Sequence, residues 1–118
     1  MDFITEFGFD VKKGQSRNLQ QWLSENESKL AAECPSGVEY VGTYAVIYTS
    51  EKHAGAYRQL FRMESYGSQD ALAAAMKEGG TFAKLFEEMS QFVDQDRDAD
   101  WSSGLYKAVT AASMWGEA

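Results

Sequence analysis

The stretch from Gly55 to Val93 constrains the fold more than any other part of the chain. Between Ala56 and Tyr66 two sets of residues alternate: Tyr57, Gln59, Phe61, Met63 and Ser65 on one side, Ala56, Arg58, Leu60, Arg62 and Glu64 on the other. Period-two alternation with aromatic residues marks a strand whose two faces meet different surroundings. Gly67 and Ser68 follow as a turn residue and a helix N-cap, with Asp70 where the positive end of the helix dipole favours an acid. The helix beyond them carries Leu72, Ala75, Met76, Phe82, Leu85, Phe86, Met89, Phe92 and Val93. From Phe82 onward these recur with the spacing of one apolar helical face. Gly79-Gly80 interrupts the helix, and Thr81 can cap the restarted segment. A strand and a helix with matched apolar faces must pack on each other.

The rest of the chain supplies partners for that pair. Asp2 to Val11 alternates, with Phe3, Thr5, Phe7, Phe9 and Val11 on one side and Ile4, Glu6, Gly8 and Asp10 on the other, as a first strand should. A helix is expected from Ser16 to Glu33, with Leu19, Trp22, Leu23 and Leu30 on one face. Ser16 or Asn18 can cap it, Asn18 with Gln21 in a capping box, and Pro35 stops it. Val38 to Thr49 is dense in β-branched and aromatic residues and reads as a second strand; 50–55 has the length of a hairpin loop. Asp94 to Asp100 is an acidic loop, Leu105 to Ala111 a short fourth strand and Ser113 to Ala118 a tail.

The order β-α-β-β-α-β is the ferredoxin-like plan. It places this chain in the α+β class, with a four-stranded antiparallel sheet, the first and third strands central and both helices on one face. The phenylalanine side of strand one and the Tyr57-Phe61-Met63 side of strand three then lie beneath the helices. The opposite face receives Glu6, Asp10, Arg58, Arg62 and Glu64. Strand two adds to it either Val41, Thr43, Ala45 and Ile47 or its tyrosine set, and periodicity leaves both open.

At 118 residues, 44% of them hydrophobic and 14% aromatic, residues 1–118 make one domain with an ordinary core. A net charge of −7 argues against nucleic acid as a partner, because phosphate binding rests on clustered Lys and Arg. Cys34 is the single cysteine, so no internal disulfide forms, and it reads as a small buried hydrophobe. The opening MDFITEF has no basic region followed by an apolar run, and no apolar stretch reaches membrane-spanning length. A cytoplasmic protein without a membrane partner is the expectation.

The plan, with an arginine-bearing third strand running into Glu64-Ser65-Tyr66-Gly67-Ser68-Gln69-Asp70-Ala71-Leu72, resembles the dimeric α+β barrel superfamily. The strand-end acid and serine followed by Asp-Ala-Leu look like the corresponding junction in its antibiotic-biosynthesis monooxygenase and NIPSNAP-like branches, and the interruption at Gly79-Gly80 is also similar. The resemblance covers Phe3 to Val109 as architecture. It implies a homodimer whose two sheets face each other, helices outside, and a small-molecule pocket of the kind found in many members. Members that bind haem carry a suitably placed histidine. This chain has only His53, in the expected hairpin loop, which weighs against haem chemistry.

Two constellations carry the candidate chemistry. Glu6, Asp10, Arg58 and Arg62 meet on one face, where the arginines could hold carboxylate or enolate oxygens, or the four could form an ion-pair network across a dimer interface. Tyr40, Tyr44, Tyr48, Tyr57 and Trp22 could line an aromatic pocket between sheet and helices, although core packing accounts for the same pattern. Asp94, Asp96, Asp98 and Asp100 alternate like the opening of an EF-hand loop. Ala99 stands where that loop needs glycine and Leu105 where it needs glutamate, so no metal site is expected. No cofactor motif is present and no catalytic residue can be named. The sequence points to a dimer binding a small, partly aromatic or polyketide-like molecule, with a cofactor-independent monooxygenase or isomerase as its enzymatic form. The competing reading is a structural or interaction dimer with no catalytic activity.

Overall fold

The computed structural model describes residues 3–48, 50, 55–96 and 102–109. Its elements follow the order β1 (Phe3–Phe9), α1 (Ser16–Ala32), β2 (Val38–Ala45), β3 (Tyr57–Met63), α2 (Ser68–Lys77), α3 (Thr81–Ser90) and β4 (Ser102–Lys107). The strands form one antiparallel sheet in the order β2-β3-β1-β4, which makes β3 and β1 the central pair. The helices pack on one face, giving the ferredoxin-like architecture that the alternation implies.

The register assigns the faces. Phe3, Thr5, Phe7 and Phe9 of β1 stand opposite Met63, Phe61, Gln59 and Tyr57 of β3, and this set is the floor of the core. Leu19, Trp22 and Leu30 of α1, Leu72 of α2, and Phe82, Leu85 and Met89 of α3 close it from above. Phe61 sits at its centre with no exposed surface, its ring within 6.4 Å of those of Phe7, Tyr40, Phe82 and Phe86. Aromatic pairs at such edge-on and tilted geometries add to the area they bury.

Neither alternative for β2 holds along its whole length, because the strand contains a bulge. Val38 and Tyr40 pair with Met63 and Phe61, the register shifts between Tyr40 and Gly42, and Tyr44 then pairs with Arg58. One extra residue reverses the parity of a strand. Tyr40 therefore points beneath the helices, while Gly42 and Tyr44 belong to the open face.

The fourth strand lies earlier than the apolar pattern suggests, at Ser102–Lys107 in place of Leu105–Ala111. Its position is set by pairing with β1, from Gly8 opposite Ser102 to Phe3 opposite Lys107. Residues 110–118 lie outside the described part of the chain.

Helix ends also depart from expectation. Gln15, Gly67 and Gly80 occupy the N-cap positions, none with a side-chain cap, so Ser16, Ser68 and Thr81 are the first helical residues. Asn18 turns back to donate to Gln15 Oε1 at 2.9 Å. The buried Ser68 hydroxyl instead accepts from the Ser65 backbone N–H at 3.3 Å, bracing the junction between β3 and α2. No described helix is long and apolar enough to cross a membrane.

Candidate functional site

The helical layer does not cover the floor completely. At the Gly79-Gly80 break the chain offers no side chain, and β4, the edge strand, has only partly buried Leu105 packed against the core. Between α2, α3 and the ends of β1 and β4 a cavity of about 880 Å³ remains. Phe7 and Phe9 form its floor, Met76 its α2 side, and Phe86 and Met89 its α3 side. Lys77, Glu78, Lys84 and Glu87 ring its mouth. An apolar interior with charged groups confined to the rim is the usual form of a small-molecule pocket.

Gln59 brings polarity to the floor. It is buried to 1% exposure, and its amide nitrogen donates to Thr43 Oγ1 at 3.1 Å and to Met89 Sδ at 3.4 Å. The Thr43 hydroxyl lies 2.7 Å from that of Tyr40, which donates to Glu27 Oε2 on α1 at 2.8 Å. A line of hydrogen bonds thus runs from the exposed carboxylate of Glu27, under the helices, to the cavity. Burial pushes the Tyr40 phenol well above its ordinary value; the bond to Thr43 opposes the shift and Glu27 adds to it.

The open face of the sheet holds the second polar group. Tyr106 donates to Glu6 Oε2 at 3.1 Å, Arg58 Nε lies 4.0 Å from the same oxygen, and Arg58 Nη1 donates to the Tyr57 carbonyl at 3.0 Å. The bond to Glu6 raises the Tyr106 phenol, with burial adding to it. Arg62 reaches Glu39 at 3.7 Å, with both side chains half exposed. Glycines on this face let long side chains lie flat: a Cβ on Gly42 would meet the Tyr44 hydroxyl at 3.0 Å, and one on Gly8 would meet Arg58 Nη1 at 2.7 Å.

Of the nine side chains singled out in the sequence, Glu6 belongs to the open-face group just described and Asp10 follows the end of β1, while the other seven divide among three places. Trp22, Tyr40 and Tyr57 are core residues, Trp22 donating to Glu88 Oε1 at 3.0 Å and Tyr57 stacking on Phe9 at 5.9 Å. Tyr44, Arg58 and Arg62 lie on the open face. Tyr48 follows the end of β2 and is 87% exposed. None of the seven lines the cavity; Tyr40 reaches it through Thr43 and Gln59. Gln59, Met76, Phe86 and Met89 do line it, and the signal for Gln59 was a polar residue inside an otherwise apolar inward set.

Cys34 is partly buried, its thiol donating to the Leu30 carbonyl at 3.3 Å, and burial raises its pKa. Among the described residues no group of three His, Cys, Asp or Glu could hold a metal ion. Asp94 Oδ1 accepts from the Asp96 N–H at 2.9 Å, a local turn contact, whereas His53, Asp98 and Asp100 lie outside the described residues.

No protein-family model matches the chain, and no curated protein matches its sequence. Solved structures do match in fold. A NIPSNAP family protein of Agrobacterium tumefaciens superposes with a TM-score of 0.64 at 8% identity, over 90% of this chain and 91% of that one. An antibiotic-biosynthesis-monooxygenase-like protein of Bordetella bronchiseptica gives 0.64 at 11% identity, over 93% and 100%. An uncharacterised NIPSNAP-like domain protein of Burkholderia xenovorans gives 0.63 at 11% identity, over 92% and 85%. At these identities the likeness shows the fold alone, and function rests on the site.

Proposed function

We propose that this protein binds a small, largely apolar molecule, partly aromatic or polyketide-like, in the cavity beneath α2 and α3. The observation that carries the reading is the cavity itself. Its volume of about 880 Å³ falls in the range of ligand pockets, about 300–1,000 Å³, and its interior is built from Phe7, Phe9, Met76, Phe86 and Met89. A core serving only to hold two chains together gains nothing from an open apolar pocket of this size, because apolar surface left in contact with water forgoes burial. That favours ligand binding over the purely structural dimer. A cofactor-independent monooxygenase or isomerase is the enzymatic form of the proposal, in line with the monooxygenase-like protein among the similar folds. The polar residues at hand for such chemistry are Gln59 on the floor and Ser103 of β4.

The same proposal includes a homodimer formed through the open sheet face, where Ile4 and Leu60 are partly covered among Glu6, Arg58 and Tyr106. Two-fold pairing is the commonest way to cover such a face. We place the protein in the cytoplasm on its acidic balance and single cysteine.

Native mass spectrometry and a thermal-shift screen of aromatic and polyketide-like compounds test the binding claim on wild type and Ala83→Trp, which fills the cavity from α3. A ligand that stabilises the wild type and not the folded variant supports the site. Equal stabilisation of both places binding elsewhere, and no hit across the screen favours the structural dimer. Analytical ultracentrifugation at micromolar concentration and physiological salt tests assembly; a monomer overturns the paired-sheet reading.

A further inference from the structure

The hydrogen bonds that end at Gln59 have a direction, and the direction fixes what the cavity floor offers a ligand. A carboxylate can only accept. The Tyr40 hydroxyl has one proton and gives it to Glu27 Oε2 at 2.8 Å. The 2.7 Å approach of Tyr40 and Thr43 then needs the proton of Thr43, which donates. Having given its proton, Thr43 Oγ1 accepts from the Gln59 amide nitrogen at 3.1 Å, and the second amide hydrogen is directed at Met89 Sδ, 3.4 Å away. Turning the Gln59 carbonyl toward Thr43 would ask one hydroxyl proton to serve two bonds. Amide orientation is decided by such networks. Both hydrogens of Gln59 are thus directed inside the protein, which leaves its carbonyl oxygen Oε1 as the amide atom available to the cavity that the residue lines.

We infer that Gln59 determines specificity in the cavity. It presents an acceptor, so it selects a flat aromatic ligand bearing a hydrogen-bond donor, a phenolic or enolic hydroxyl or a ring N–H, over the same skeleton with an ether oxygen there. Tyr40 and Glu27 are positioning residues: they never touch the ligand, but they set the polarity of the group that does. The flat aromatic body follows from the walls, since Met76 and Met89 offer sulfur and Phe7 and Phe86 offer rings to such a skeleton. The inference rests on the cavity being the binding site, and its test separates the two.

Indole and benzofuran share one bicyclic shape and differ in an N–H replaced by an oxygen, so calorimetric titration of the pair reads the acceptor directly. The wild type should prefer indole by about tenfold, the worth of one hydrogen bond against a buried group left unpaired. Gln59→Met keeps the length of the side chain and removes the acceptor. It should bring the ratio near one while benzofuran still binds. Tyr40→Phe frees the Thr43 proton to donate to the Gln59 carbonyl, so the amide turns its N–H to the cavity and the preference moves toward benzofuran. A merely structural role for Tyr40 would weaken both probes alike. Equal binding of the probes by the wild type overturns the acceptor and leaves the cavity standing. A ratio unchanged in folded Tyr40→Phe overturns the directed chain. If neither probe binds the wild type at its solubility limit, the cavity reading falls and this inference with it. Should Gln59→Met fail to fold, the wild-type pair and Tyr40→Phe still decide.

Discussion

Alternate residues of the same strands build both faces of the sheet, yet the faces handle polar groups in opposite ways. Beneath the helices Thr5 and Gln59 are each 1% exposed, and their side-chain bonds stay within the chain, to Gly104, Thr43 and Met89. On the open face the side chains of Arg58 and Glu6 keep 16% and 25% of their exposure and still lie 4.0 Å apart, while Tyr44 over Gly42 and Tyr106 over Gly104 stay half exposed. The inner face is covered by this chain's own helices except over the cavity. The outer face is flattened and partly desolvated, and no described helix lies over it. Burying charge has a cost that pairing offsets only when the geometry is good, and the partial burial of Arg58 and Glu6 is what the proposed pairing with a second copy would complete.

Mutating neighbours that point to opposite faces should separate the two most widely in stability. Phe61→Ala empties the centre of the core and should cost about 3–5 kcal/mol, a large part of a small domain's stability. Leu60→Ala, one residue earlier on the open face, should cost less than about 1 kcal/mol in dilute protein, as substitutions at partly solvated sites do. At higher concentration its cost should grow if a second copy covers the face, because a partner that binds only the folded state stabilises it. Urea denaturation of both variants at two concentrations reads this. Equal losses in dilute protein would mean that the two faces are buried alike.

These contrasts show which parts of the molecule were legible in the sequence. β1 and β3 were, because strict alternation over Phe3–Phe9 and Tyr57–Met63 leaves one way to place the rings. The break between α2 and α3 was equally plain in Gly79-Gly80. The bulge was not: Tyr40, Tyr44 and Tyr48 keep an even spacing, and only pairing against β3 shows that the register shifts around Val41. Ser102-Ser103-Gly104 has the composition of a turn, and it is a strand because β1 offers it an unpaired edge. The site was harder still. Large rings such as Trp22 and Tyr57 fill space, whereas a cavity forms where side chains are small or missing, as at Gly79, Ala83 and Ser103. Voids are a property of packing in three dimensions and leave little trace in periodicity.

Phe86 stands where the inner face meets the cavity. Its place in the apolar stripe of α3 suggests a core residue, but it is only partly buried and stands at the cavity wall, with Phe82 at 4.9 Å and Phe61 at 6.2 Å. Phe86→Ala should therefore cost about 1–2 kcal/mol, below the range for a fully buried phenylalanine, because part of that ring already faces open space. It should also enlarge the cavity and weaken any ligand stacked on the ring. Thermal denaturation with and without the indole probe separates these two effects. A loss as large as that of Phe61→Ala would mean that the cavity closes on Phe86 in solution.

The smallest effect compares two tyrosines, one from each face. Both phenols lie above the ordinary 10.0, for different reasons: burial dominates at Tyr40, and the hydrogen bond to Glu6 dominates at Tyr106. Glu6→Gln removes the carboxylate and should return Tyr106 toward 10.0, whereas Glu27→Gln should leave Tyr40 raised, because the burial remains. The consequence for stability has a definite sign. A group held protonated more tightly in the folded chain contributes fully below its unfolded value and loses that contribution as pH climbs toward its folded one. Stability should then be insensitive to Tyr40 up to about pH 10 and fall above it, and Tyr40→Phe should flatten that fall. Tyrosinate absorbance followed across alkaline pH in the two glutamine variants reads the phenols directly. If Glu27→Gln shifts the last-titrating tyrosine to the ordinary range and Glu6→Gln shifts none, the roles of burial and charge on the two faces are the reverse of those argued here.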